Sequence, residues 1–238
     1  MPLEVRKHGV ILEKTRNSFE SQGVLNPAIV QEGNTLHMIY RAVREGNFST
    51  LGYCKLKGPL EVTERSNKPI FFPENDYEFK GTEDPRMVKI EDTYYLSYSA
   101  YDGINVFGAY ATSKDLRHFQ RQGIITPKIG YEEYAALMRE NFEQISEKHL
   151  FFYEMFIRYR IEELMKGKIY VWDKNLIFFP EKINGKFAVL HRHYPSIQVF
   201  YYNNPAELTA DFWREHIRSL RNHIVIRPRY HFCSFKGK

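Results

Sequence analysis

The chain has 238 residues, 43% of them hydrophobic and 26% charged, which describes an ordinary globular protein of one large domain or two small ones and excludes a disordered one. Its 34 basic and 29 acidic residues leave a net charge of only +5, and no block of like charges suggests a nucleic-acid arm. The N-terminus lacks an apolar core of signal-peptide length and no run approaches the ~18 apolar residues of a bilayer span, so a cytoplasmic protein with no membrane partner is expected.

Along the chain, a first short strand is predicted at 10–14. Then "EGNTLHMIYRA" (32–42) alternates apolar and polar residues after a polar turn, the primary strand signal, and 51–56 reads as its neighbour. The pattern returns in "IEDTYYLSYSA" (90–100), with a further strand at 104–112, and again in "INGKFAVLHRH" (183–193), flanked by strands at 168–172, 197–202 and 223–226. Aligned on the turn, Gly33, Glu91 and Asn184 correspond, as do Tyr40, Tyr98 and His191; Asn184-Gly185 is itself a hairpin-turn signal.

The second interval exceeds the first by nearly the length of 131–167, which reads as helix. Tyr134, Leu137, Met138, Phe142 and Ile145 keep the 3.6-residue spacing, as do Phe156, Ile157, Ile161, Leu164 and Met165, with Gly167 as a C-cap. The helices are therefore expected as an insertion in a β-repeat. Their aromatic run, Phe151–Phe156, reads as core or as a contact between copies of the chain.

A repeat of this length, with several strands per unit, is what a β-propeller blade requires, because each small sheet buries its faces against its neighbours. Without the insertion the chain holds about three and a half such units, fewer than the four or more that close a propeller, so a C-terminally incomplete one is expected. The 16% aromatic content suits stacked β-structure and flat platforms for sugar rings. Cys54 and Cys233 stand far apart, outside any CxxC spacing, and are expected as buried free thiols.

Strand-end polar residues are candidates for a shared axial site. Arg41 follows Tyr40 and Arg192 follows His191; two guanidinium groups from matching positions either converge as forked donors for a phosphate or carboxylate, or end their strands in solvent. Asn26 precedes a proline and is expected extended or in a turn, and Asp84, which also precedes one, is expected extended. The Asn26 amide either binds hydroxyls or forms its turn. Arg86 is expected on the same side as Asp84, lowering its pKa, while burial or Glu83 would raise it. His191 and His193 share a strand face, but no third ligand is visible at metal-site spacing, and a non-metal role is favoured.

These residues resemble glycoside hydrolase family 130, the β-mannoside phosphorylases and related β-mannosidases. The matching segments are "NPAIV" (26–30), "MIYRA" (38–42), "STLGY" (49–53), "GTEDPRM" (81–87), "YYLSYSAYDG" (94–103), "ATSKDLRHFQRQG" (111–123) and "DKNLIFFPEKINGKFAVLHR" (173–192). The resemblance implies a five-bladed β-propeller with an axial sugar site. It also implies inverting phosphorolysis of β-mannosides to α-mannose 1-phosphate and a shorter sugar, with Asp84 as general acid acting through a hydroxyl of the bound mannose.

Asn26 and Arg41 match the mannose subsite, and Arg86, Tyr101 and Asp102 lie in matching segments as further sugar contacts. Lys174 and Arg192 fall where phosphorylases carry phosphate ligands, with Lys182 and His191 as secondary candidates. Inorganic phosphate is a co-substrate in this reading, and no cofactor or metal is implied. Basic groups at 174 and 192 favour phosphate as nucleophile; a β-mannoside hydrolase would need a carboxylate to activate water, and a truncated sugar-binding remnant is the third reading. Two features depart from the family. The helical insertion either caps the cleft or joins copies of the chain, and the family's later glycine-rich stretch and Tyr-His-Gly strand end have no counterpart.

Overall fold

The computed structural model describes residues 4–140, 155, 158, 169–193 and 196–227. Among them twelve strands form three successive antiparallel units of four. The first comprises β1 (Gly23–Glu32), β2 (Thr35–Arg44), β3 (Phe48–Lys57) and β4 (Glu61–Arg65). The second comprises β5 (Gly81–Ile90), β6 (Thr93–Tyr101), β7 (Val106–Ser113) and β8 (Gln120–Ile124). The third comprises β9 (Asp173–Phe178), β10 (Phe187–His193), β11 (Ile197–Tyr202) and β12 (Ile224–Ile226). Each unit meets the next through one parallel bridge, Ser49 with Gly81 and Phe107 with Asp173, and β1 does not pair with β12, so the described sheet is not closed.

The repeat seen in the sequence is present in the backbone. Gly33, Glu91 and Asn184, the three aligned turn residues, all adopt left-handed φ values of 57°, 53° and 52°. A tight turn between right-twisting strands needs such a residue, and Gly and Asn accept it most readily. Glu91 adopts it against ordinary preference.

Alternation sends successive side chains of β2 to opposite faces, and both faces are buried. Met38, Tyr40 and Ala42 pack with Phe19, Cys54 and Leu56, while Ile39 joins Leu51 and Tyr53 against Leu96, Tyr98 and Ala100 of the second unit. The other face of the second unit, with Tyr110, packs on Leu176, Phe178, Val189 and Phe200 of the third. Each unit thus supplies its neighbour's core, as stacked blades do. At Gly108 a Cβ would stand 2.6 Å from the Leu176 side chain, so glycine permits this close seating. Cys54 is a buried free thiol, its pKa pushed up to about 11 by burial; Cys233 lies outside the described residues.

Several expected elements are corrected. Residues 10–14 form no strand, and the strand expected at 168–172 is displaced to β9, where Leu176 and Phe178 are the buried alternate residues. Within the expected helical insertion, α1 (Tyr131–Arg139) buries Tyr134, Leu137 and Met138 as the spacing required. Met155 and Arg158 are helical, and the remaining positions named there, Phe142 to Gly167, lie outside the described residues. A second helix, α2 (Ala210–Arg218), was not foreseen. Its signals were a capping Thr209, whose hydroxyl accepts from the Phe212 N–H, and the spacing of Trp213, His216 and Ile217, its buried face.

No helix among the described residues is long and apolar enough to cross a membrane.

Candidate active site

The first strand of each unit carries one bulge at the same place. Pairing shifts between Leu25 and Ala28 on β1, between Glu83 and Arg86 on β5, and between Lys174 and Ile177 on β9. The residue after the last paired one is left-handed each time: Asn26 (φ 48°), Asp84 (φ 49°) and Asn175 (φ 61°). Proline at the next position argues for an extended backbone at Asp84, which the structure corrects, and for an extended or turn backbone at Asn26. Asn and Asp are the non-glycine residues that tolerate this conformation best, and bulges commonly re-aim a side chain toward a site.

The bulges bring two of these side chains together. Asn26 Nδ2 donates to Asp84 Oδ1 at 2.6 Å, and Arg41 Nη1 reaches the same oxygen at 3.3 Å. Arg41 Nη2 donates to Glu83 Oε1 at 2.7 Å and its Nε to Ser49 Oγ at 2.9 Å; Ser49 Oγ in turn donates to Glu83 at 3.1 Å. Arg41 is therefore held at three nitrogens, with side-chain exposures of 13% for Arg41, 12% for Glu83 and 16% for Asp84. Among the described residues no protein donor reaches Asp84 Oδ2, which leaves that oxygen for a ligand or a proton.

Lys174 and Arg192 complete the arrangement through the repeat. Leu25 pairs with Arg41, Glu83 with Ser99 and Lys174 with Arg192, so all six occupy one pair of positions in three units. Burial, and then Arg192, lower the Lys174 pKa, while Asp84 and Glu83 oppose the shift. Burial, followed by the charge of Asp84, raises the Glu83 pKa against the pull of Arg41. Three cations, Arg41, Lys174 and Arg192, and two carboxylates thus share one half-buried cluster, in which each sign moderates the cost of burying the other.

The remaining candidates lie elsewhere. Arg86 turns away from the carboxylates: its Nη1 donates to the Pro85 carbonyl at 2.8 Å and the Asp84 carbonyl at 3.4 Å, bracing the bulge. The arginine beside Asp84 is Arg41. Arg86 lines a cavity of about 200 Å³ with residues that follow the bulges, Pro27, Ala28, Met87 and Ile177. Tyr101 donates its hydroxyl to the Gly103 carbonyl, and Asp102 accepts from the Ile104 and Asn105 N–H groups, so both organise the β6–β7 loop.

Two secondary phosphate candidates are corrected. Lys182 pairs with Glu91 at 3.1 Å at the hairpin-turn end of the units, on the order of 20 Å along β5 from Asp84 by strand rise. His191 is wholly buried, with Nδ1 2.8 Å from Asp173 Oδ2 and Nε2 2.9 Å from His216 Nε2. Asp173 also supplies the third group that the His191–His193 pair lacked in sequence, since the three offer potential ligand atoms within 4.8 Å of one another. Sequence reasoning missed Ser49, inside a matching segment, and Asn175, whose signal was an Asn at the repeat position of Asn26.

Three blade-like, four-stranded units that bring acidic and basic side chains together at matching strand ends define a mostly β repeat protein with a charged cluster. The family model described as beta-1,4-mannooligosaccharide phosphorylase matches residues 2–166, and the chain belongs to that family, glycoside hydrolase family 130. It is 28% identical over 202 residues to a 1,2-beta-oligomannan phosphorylase of Thermoanaerobacter sp. strain X514, covering 80% of this chain and 53% of that protein. It is 24% identical over 199 residues to a beta-1,2-mannobiose phosphorylase of the same organism, covering 77% and 51%. The chain spans about half the length of the curated relatives it matches. Among solved structures, a putative glycoside hydrolase from Bacteroides ovatus ATCC 8483 superposes with a TM-score of 0.60 at 18% identity, covering 86% of this chain and 57% of that one, a likeness of fold.

Proposed function

We propose that this chain forms the mannose and phosphate sides of the cleft of an inverting β-mannoside phosphorylase, within a five-bladed propeller. The observation that carries the reading is Asp84, aimed by a left-handed bulge, fixed at one oxygen by Asn26 and Arg41, and sharing its cluster with Lys174. Arg41 and Asn26 hold the carboxyl group and the mannose, while Lys174 and Arg192 hold inorganic phosphate.

A phosphate oxygen attacks the anomeric carbon as the bond to the glycosidic oxygen breaks. The Asp84 proton passes to a hydroxyl of the bound mannose, which gives its own proton to the departing oxygen. The products are α-mannose 1-phosphate and the shortened sugar. Fixed cations offset the desolvation of phosphate and set its line of attack. Arg41, bridging Glu83 and Asp84, keeps two neighbouring carboxyl groups from repelling each other as Asp84 becomes anionic.

In this reading phosphate is the co-substrate, no cofactor takes part, and the protein works in the cytoplasm. The expected contact between copies through the insertion falls largely outside the described residues. The relatives' names make β-1,2-mannobiose the first substrate to test and β-1,4-linked mannosides the second. Incubation with each, with and without inorganic phosphate, should form mannose 1-phosphate only when phosphate is present. Sugar release at the same rate without phosphate would replace this reading with a hydrolase.

A further inference from the structure

Each unit holds a buried polar latch opposite its bulge. In the first, Tyr40 donates to Glu20 at 2.8 Å, and Arg65 of β4 reaches Glu20 at 2.9 Å. In the second, Tyr98 donates to Glu78 at 2.9 Å, and Arg121 of β8 reaches Glu78 at 2.9 Å. The third replaces the whole set: His191 stands where the tyrosines were, Asp173 is the carboxylate, and His216 of α2 is the outer partner. Pairing places Tyr40, Tyr98 and His191 directly across from Asn26–Pro27, Asp84–Pro85 and Asn175–Leu176.

The third latch differs in where its carboxylate originates. Glu20 and Glu78 precede their first strands, whereas Asp173 is the first residue of β9 and the immediate neighbour of Lys174. Its Oδ2 accepts from His191, and its Oδ1 accepts the Arg192 N–H at 3.1 Å. One side chain is therefore tied to the backbones of both cations of the anion site. His191 Nδ1 faces the carboxylate and its Nε2 faces His216 Nε2, so that one of these two facing nitrogens donates and the other accepts. Burial, and then the neighbouring His191, push the His216 pKa far down, which keeps that ring neutral.

We infer that Asp173 and His216 are positioning residues for the phosphate site, fixing Lys174 and Arg192 through the backbones of β9 and β10. The inference rests on the proposed phosphate role of those two cations. A side chain that aligns a ligand set without touching the ligand typically alters affinity by tenfold or more when removed.

The test measures binding of inorganic phosphate and, separately, of β-1,2-mannobiose by calorimetry on the purified protein, for wild type, Asp173→Asn, His216→Leu, His216→Gln and Lys174→Gln. Asp173→Asn and His216→Leu should weaken phosphate about tenfold while mannobiose affinity stays within about twofold, and His216→Gln, which keeps a hydrogen-bonding partner for His191, should restore phosphate binding. Proton NMR should show a low-field imidazole N–H resonance for the Asp173–His191 bond, lost in Asp173→Asn. Where Asp173→Asn does not fold, the two His216 variants carry the comparison. Phosphate affinity unchanged in the Asp173 and His216 variants but lost in Lys174→Gln overturns this inference alone. Phosphate affinity unchanged in Lys174→Gln overturns the proposed anion site beneath it. Parallel loss of both ligands, or a stoichiometric transition metal in the purified protein, reassigns the cluster to folding or to metal binding and overturns the inference.

Discussion

Asn26 and Asp84 stand 58 residues apart at the same bulge of two repeated units, and Asn26 Nδ2 donates to Asp84 Oδ1 at 2.6 Å. One repeat position thereby supplies both an amide and its acidic partner. The bond engages one of the two oxygens of Asp84.

Replacing Asp84 by Asn keeps the shape of the bulge and removes the proton. Formation of mannose 1-phosphate should fall about 10²–10⁴-fold, the usual worth of a general acid, while mannobiose affinity is retained. Unchanged turnover would mean that another group is the acid.

Asn26→Ala removes a hydrogen bond and places a β-carbon residue without a compensating side chain at φ 48°. Together these should cost about 1–3 kcal/mol in urea unfolding. Asn26→Gly, which relieves the backbone, should recover part of the stability and none of the sugar affinity.

Glu83 makes stability depend on pH in a defined sense. Its folded pKa is raised by burial, so the folded state holds the proton more tightly than the unfolded chain. Stability should therefore fall as pH rises from the ordinary glutamate range through the raised folded value. Urea unfolding as a function of pH should show that decline in the wild type and lose it in Glu83→Gln.

The latch of the second unit separates a hydrogen bond from a buried charge. Tyr98→Phe leaves Glu78 paired with Arg121 and should cost about 1 kcal/mol. Arg121→Leu leaves a fully buried carboxylate without its cation and should cost about 3–5 kcal/mol. Equal losses in chemical denaturation would contradict this division.

Lys182 lies at the far turn, paired with exposed Glu91. Lys182→Ala should leave both phosphate and mannobiose affinity at wild-type values by calorimetry.

The repeat was legible because its signals are local. Alternation in β2, β6 and β10 and polar turns at Gly33, Glu91 and Asn184 follow from pleat and hairpin geometry, which act over a few residues. The positions of Arg41 and Arg192 followed from that alignment. Arg86 was misread because two residues separate same-side neighbours only in a regular strand, and the bulge at Asp84–Pro85 breaks that count. His191 was misread because its partners, Asp173 and His216, come from another strand and from a helix.

By itself, then, the sequence determined a repeated β-architecture, its family motifs and the acidic candidate Asp84. Only the tertiary structure decided which arginine faces that acid, which histidine is sealed in the core and which lysine stands at the far turn. The reason is physical: periodicity and turn chemistry are local, whereas charge pairing and burial depend on which strand ends the packing of successive units brings together.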